Sequence, residues 1–305
     1  MAQLSVGRGI SLEWEAFGDP SGEPLFLVMG LAAQMILWPD DFCRALAERG
    51  FYVVRFDNRD VGLSTKLHAE GVPNVVARVA LRTLAHQRLR APYSLSDMAG
   101  DLAGLMDGLG IPSAHVVGMS MGGMIAQTFA IEHPARVRSL VSFASSTLDH
   151  GLPRGETAAL RVLTQAPPRE REAAIQFGVT VLRTIGSPAH FDPVEARRTV
   201  ERGIARSTYR LGAARQMAAI LAAPPRSPLL AKVRVPTTVI HGRLDPLLPL
   251  PHGEATARAI DGARLVVLDS LAHDIPRPLW RELLGAITSN AERAGGRAQE
   301  LATRA

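Results

Sequence analysis

Three polar side chains, Ser120, Asp245 and His273, occupy positions whose surroundings suit acyl-transfer chemistry. Ser120 lies in HVVGMSMGGMIAQ, His115 to Gln127, with Gly118 and Gly122 two places away on either side. An apolar strand that turns at once into a helix leaves no room for side chains at those flanking positions, and glycine relieves the crowding. Such a turn lifts the hydroxyl out of the sheet and points the backbone N–H of Met121, at the positive end of the new helix, into the same space. A nucleophile and an oxyanion donor would arrive together. The competing role for Ser120 is an ordinary helix N-cap.

A serine hydroxyl needs a base, and the base needs an acid that orients it and stabilises the imidazolium. Asp245 in HGRLDPLLPL follows the run TTVIHG, and His273 in LDSLAHDIP follows RLVVLD. The order Ser, Asp, His suits a nucleophile on a strand-to-helix turn. Eight other histidines compete for the role of base. His115 opens its strand at the far end, His133 lies toward the end of the helix after the serine, His241 lies in or at the end of a strand, and His252 precedes a helix. His68, His86, His150 and His190 have no placement relative to Ser120. Asp149 is the rival acid, while Asp269 and Asp274 stand too near His273 in sequence to be obvious partners and read as structural.

A second oxyanion donor is expected from VMGLAAQ, Val28 to Gln34, where Gly30 lets the chain turn and the Leu31 N–H can point beside Ser120. Gly30 and Met119 are expected to border the substrate. The apolar Leu31, Met119 and Met121 favour a hydrophobic acyl group, although methionine is also ordinary core filler. No H-E-x-x-H or cysteine–histidine cluster supplies a metal ligand set, and the chemistry requires no cofactor.

Positioning these residues requires an α/β fold: strand-like runs alternate with helical patterns, the mark of a mostly parallel sheet flanked by helices. The strand candidates are Leu12 to Phe17, Leu25 to Met29, Tyr52 to Phe56, His115 to Met119, Arg138 to Ala144, Thr237 to Gly242 and Arg264 to Asp269. Between the fifth and sixth, the chain is rich in Ala, Arg and Pro and lacks strand patterns. The expected organisation is a core in two parts, 1–148 and 229–289, with a helical cap at 149–228 and a flexible tail at 290–305. Ligands sit at the carboxyl ends of parallel strands, so a helical insertion leaving that edge would roof the site.

The 305 residues are 47% hydrophobic and 21% charged, as in an ordinary globular protein. The net charge of +5 comes mainly from dispersed arginines interleaved with acids, which argues against a nucleic-acid surface. The lone Cys43 cannot form an internal disulfide and reads as a buried, inert thiol. With no signal-type N-terminus, a cytoplasmic location is expected. The densest basic segment, Asn74 to Pro92, interleaves Arg78, Arg82, Arg88 and Arg90 with apolar residues; a solvated helix packed on the body is favoured, with peripheral membrane contact as the alternative.

Five stretches, MGLAAQ, FDNRDVGLST, GMSMGG, HGRLDPLLP and LAHDIP, resemble the α/β-hydrolase family in order, over about Val6 to Ile287. The resemblance implies Ser120 as nucleophile, Asp245 as acid, His273 as base and the N–H groups of Leu31 and Met121 as oxyanion hole. The sequence departs from the family pattern twice. The usual His-Gly of the oxyanion loop reads Met29-Gly30, and the usual Asp-x-Arg-Gly-x-Gly-x-Ser has Asp60 at its first glycine position; Asp57 and Arg59 there read as structural. The run from Gly30 to Lys66 is similar to actinobacterial esterases of the lipase/esterase G type and, more loosely, to aclacinomycin methylesterases. That likeness implies a serine esterase for a small-molecule or lipid ester, with thioesters included. Ser120 argues against halide or epoxide chemistry, which uses aspartate at the same turn. Perhydrolases, carbon–carbon bond hydrolases and acyltransferases share the triad, and a non-catalytic ligand-binding member is the rival from another class.

Overall fold

The computed structural model describes residues 1–74 and 90–304, with side chains up to residue 295. Eight strands form one sheet: β1 (Ala2–Gly7), β2 (Ile10–Phe17), β3 (Glu23–Val28), β4 (Phe51–Phe56), β5 (Ala114–Met119), β6 (Val137–Phe143), β7 (Thr237–Gly242) and β8 (Arg264–Leu268). Their spatial order is β1-β2-β4-β3-β5-β6-β7-β8. The β1–β2 and β2–β4 pairs are antiparallel and every later pair is parallel, so β3 to β8 present their carboxyl ends at one edge.

Alternate residues of the central strands enter two cores, as a sheet covered on both faces requires. Phe26, Val28, Val54, Val116 and Leu140 pack with residues of α2 (Leu95–Gly108) and α3 (Met121–Glu132). Leu25, Leu27, Val53, Val117, Val141 and Ile240 pack with residues of α1 (Asp40–Ala47) and the long C-terminal helix, Trp280–Arg304. Helix α2 starts on a capping box in which Ser94 and Asp97 satisfy one another's backbone N–H groups. Cys43 lies in the second core with none of its surface exposed, and burial pushes its thiol up to about 12. A thiol so held is a poor nucleophile, in keeping with the inert role read from the sequence.

Between β6 and β7 the chain is helical: α4 (Thr157–Thr164), α5 (Arg171–Ile185), α6 (Pro193–Arg206), α7 (Leu211–Ala222) and α8 (Ser227–Leu230). Then come α9 (Pro251–Ala259), between β7 and β8, and α10 (Trp280–Arg304). Helix α10 crosses residue 290 without a break, although the charged composition beyond it suggests fraying. Asn290 is fully buried, donating to the Leu140 carbonyl and accepting from the Thr238 hydroxyl at 2.9 Å each. Among the described residues no helix is long and apolar enough to cross a membrane. Most of the basic segment weighed as a membrane contact, residues 75–89, lies outside the described residues.

Candidate active site

Strand β5 ends at Met119 and α3 begins at Met121, leaving Ser120 alone in the turn at φ 57°, ψ −123°. Positive φ is unusual for a residue with a Cβ and persists only where its surroundings enforce it. Here they do. A Cβ on Gly118 would lie 2.1 Å from the Gly122 carbonyl oxygen, and one on Gly122 would lie 2.0 Å from that of Val28. The two flanking glycines are therefore a steric requirement of strand, turn and helix packed together. From below, the Ser120 N–H donates to the Phe143 carbonyl at 2.9 Å, and the Ser145 hydroxyl donates to the Ser120 carbonyl at 2.7 Å.

The Ser120 side chain does not cap α3. Its only assigned alternative role is thus unfilled, and the hydroxyl makes no hydrogen bond among the described residues. Gly30, after β3, sits against it: a Cβ there would come 3.1 Å from the Ser120 Cβ and 3.5 Å from its Oγ. The Leu31 and Met121 amides follow Gly30 and Ser120 respectively, one on the loop after β3 and the other at the first residue of α3. The Met121 side chain is core, packed in the first cluster with no exposed surface, and Met119 is 6% exposed in the second. Only the Leu31 side chain of this trio is partly open.

Asp245 and His273 follow β7 and β8 and are joined directly: His273 Nδ1 lies 2.7 Å from Asp245 Oδ2. The other carboxylate oxygen accepts the N–H groups of Leu247 and Leu248, both at 2.9 Å. Burial opposes ionisation of Asp245, but His273 and the Leu248 N–H outweigh it and hold the carboxyl below the ordinary carboxylate range. With Nδ1–H committed to the carboxylate, Nε2 of a neutral His273 is the basic nitrogen. His241 also approaches Asp245, at 3.7 Å, but its Nε2 is 2.7 Å from the Leu248 carbonyl, and burial keeps the ring neutral.

The other acids near the site, and Arg59, have partners elsewhere. The Ser227 hydroxyl donates to Asp149 at the start of α8, and exposed Asp269 pairs with Arg243. Asp57 accepts the Met35 and Leu63 N–H groups at 2.8 Å and pairs with Arg206 of α6; Arg59 pairs with Asp101. Both hold loops together, as the sequence suggests.

Asp60 has a role that composition does not reveal. Its φ is +70°, which explains why glycine suits this position, and both its oxygens accept from Arg215 of α7 at 2.8 Å. Neither side chain has any exposed surface. Asp60→Ala leaves a buried guanidinium without its counter-charge and is expected to cost about 3–5 kcal/mol, read from urea unfolding. Asp60→Gly combined with Arg215→Met should recover most of that loss; equal stability of all three proteins would contradict a structural pair.

The insertion's hold on the histidine loop leaves no signal in the sequence. Ile185, ending α5, accepts the His273 N–H at 2.9 Å; the Ser187 hydroxyl accepts the Ala272 N–H at 2.9 Å and donates to Asp274 at 2.6 Å. These contacts span more than 80 residues of chain, and a Gly-Ser-Pro turn carries no sign of them.

Three further histidines are buried neutral. Burial, with Arg138 nearby, lowers His115 to about 4, and burial lowers His241 and His252. As pH falls from about 6.5, the unfolded chain takes up protons that the folded rings refuse, so stability drops. For His115 alone the drop amounts to roughly 3 kcal/mol by the time its folded value is reached. Urea midpoints between pH 7.5 and 4.5 are expected to fall steadily; a flat profile would contradict neutral burial.

The comparisons with known proteins agree with this architecture. A family model described as alpha/beta hydrolase fold matches residues 23–276. Rhodomycin D methylesterase DnrP of Streptomyces peucetius is 28% identical, over 93% of this chain and 96% of its own. Pimeloyl-[acyl-carrier protein] methyl ester esterase of Neisseria meningitidis is 30% identical over 60% of this chain and 69% of its own. Among solved structures, a meta-cleavage product hydrolase from Pseudomonas fluorescens IP01 superposes with a TM-score of 0.74 at 18% identity, covering 96% of this chain and 98% of the other. With the eight-stranded sheet, the glycine-flanked Ser120 turn and a family match over most of its length, the chain belongs to the α/β-hydrolase fold family.

Proposed function

We propose that the protein is a serine hydrolase that cleaves carboxylic esters through an acyl-enzyme on Ser120. The observation that carries this reading is the pairing of His273 Nδ1 with a buried, ionised Asp245, on the same sheet edge as a serine whose hydroxyl is uncommitted. In this mechanism His273 Nε2 takes the Ser120 proton as Oγ attacks the ester carbonyl, and the N–H groups of Leu31 and Met121 receive the oxyanion. The imidazolium then protonates the departing alcohol. Water, deprotonated by the same nitrogen, attacks the acyl-serine and releases the acid while Ser120 recovers its proton. No cofactor takes part.

The insertion at 149–228 acts as the cap over this edge, and its contacts with the histidine loop support that role. Two relatives whose names describe cleavage of methyl esters favour an ester of a small alcohol, with Gly30, Leu31 and Met119 bordering the bond to be cut. The single buried thiol favours the cytoplasm. Labelling with a fluorophosphonate tests the reading. One equivalent should attach to Ser120 in the native protein and none in Ser120→Ala, whereas a ligand-binding member of the fold would show no serine-specific labelling.

A further inference from the structure

The loop after β3 is strained at the point where it must be accurate. Gly30 to Ala33 form a turn closed by Ala33 N–H to the Gly30 carbonyl at 3.4 Å, and Ala32 inside it has φ +56°. An alanine holds that conformation only where neighbours impose it. Asn58 fixes one side of the loop, donating to the Met29 carbonyl at 2.8 Å. The other side is fixed from far away. Gln216 of α7 accepts the Ala32 N–H at 2.7 Å through Oε1 and donates from Nε2 to the Arg59 carbonyl at 2.9 Å. Its side chain is fully buried, and its neighbour Arg215 ties the same helix turn to Asp60.

We infer that Gln216 is a positioning residue for the oxyanion loop. The carboxamide is the only partner of the Ala32 N–H among the described residues, and that amide belongs to the peptide joining Leu31 to Ala32. Holding this peptide plane sets the orientation of the turn and, one residue earlier, the direction of the Leu31 N–H. Because the acceptor comes from the insertion, the aim of the oxyanion donor depends on the Gln216 carboxamide reaching the loop after β3. A pinned donor keeps its aim on the oxyanion rather than on the ground-state carbonyl, so the effect falls on the transition state.

The inference rests on Ser120 as nucleophile and Leu31 as oxyanion donor. Gln216→Met keeps the length and bulk of the side chain but loses both hydrogen bonds. It is expected to lower kcat on a nitrophenyl ester by about tenfold, part of the cost of losing an oxyanion donor outright, with KM changed less than about twofold. Binding of phenylboronic acid, whose adduct on Ser120 is tetrahedral, should weaken in the same proportion. Arg215→Lys loosens the same docking at Asp60 without touching the Ala32 amide, and should lower Tm while keeping kcat within about twofold of native. Equal kcat in Gln216→Met and the native protein, or equal loss in both variants, would reduce Gln216 to a fastener of α7 and overturn the inference. A native protein that neither turns over the ester nor reacts with a fluorophosphonate would instead remove the underlying reading, and the inference with it.

Discussion

Ser120→Ala is expected to lower kcat on a nitrophenyl ester by roughly 10⁶-fold, to the level that bound substrate and oxyanion donors sustain without a nucleophile. The same change should alter stability by less than about 0.5 kcal/mol, because the hydroxyl makes no hydrogen bond that folding uses and alanine is no more strained at φ 57° than serine. That separation is the informative part. A purely structural serine would lose stability with its hydroxyl and leave turnover alone. Steady-state kinetics and thermal melting on one preparation decide it, and retention of more than about 1% of native kcat would contradict a nucleophilic Ser120.

Asp245→Asn is expected to cost about 10⁴-fold in kcat with little change in the fold, and the reason lies in the hydrogen-bond polarity of this site. Asparagine can keep one oxygen facing the Leu247 and Leu248 N–H groups, so its amide nitrogen takes the place of the oxygen now 2.7 Å from His273 Nδ1. Two donors cannot face each other. The imidazole must move its proton to Nε2, and the nitrogen needed as base becomes a donor. The kcat–pH profile distinguishes this from displacement: with the proton misplaced, hydroxide can partly replace the base, so residual activity should rise with pH well beyond the native plateau. A variant within about tenfold of native kcat would show that the Asp245–His273 bond does not set the tautomer.

Much of this site was legible because its signals are local. The turn at Ser120 announces itself through two glycines that the packing of β5, α3 and β3 makes compulsory. Asp245 and His273 lie just beyond strand runs whose alternation is visible in the letters, and the observed strands begin or end within two residues of the expected ones. The strand that escaped is β1, an exposed sheet edge of mixed polarity, joined to β2 through Gly7, Arg8 and Gly9, all at positive φ. An edge strand buries too little to leave a pattern.

Long-range polar contacts were the other blind spot. Asp60 stood out as a departure from glycine, but its partner lies 155 residues away, and Gln216 reaches Ala32 across 184. In RLGAARQMAAIL the adjacent Arg215 and Gln216 do interrupt an alanine-rich helix, a polar pair that burial would force to find partners. Which partners they find depends on how the insertion docks, and no spacing rule encodes that. The same holds for Ser187 and for Asn290, whose bonds stabilise the junctions between insertion, core and C-terminal helix.

The central claim is that Ser120 carries the acyl group between the two half-reactions. Mixing the protein rapidly with a nitrophenyl ester, quenching in acid within the first turnover and mapping the peptides by mass tests it most directly. The account predicts a burst of about one nitrophenol per chain and an acyl group esterified to Ser120. Ester turnover with Ser120 unmodified, or with the acyl group on another side chain, would contradict it.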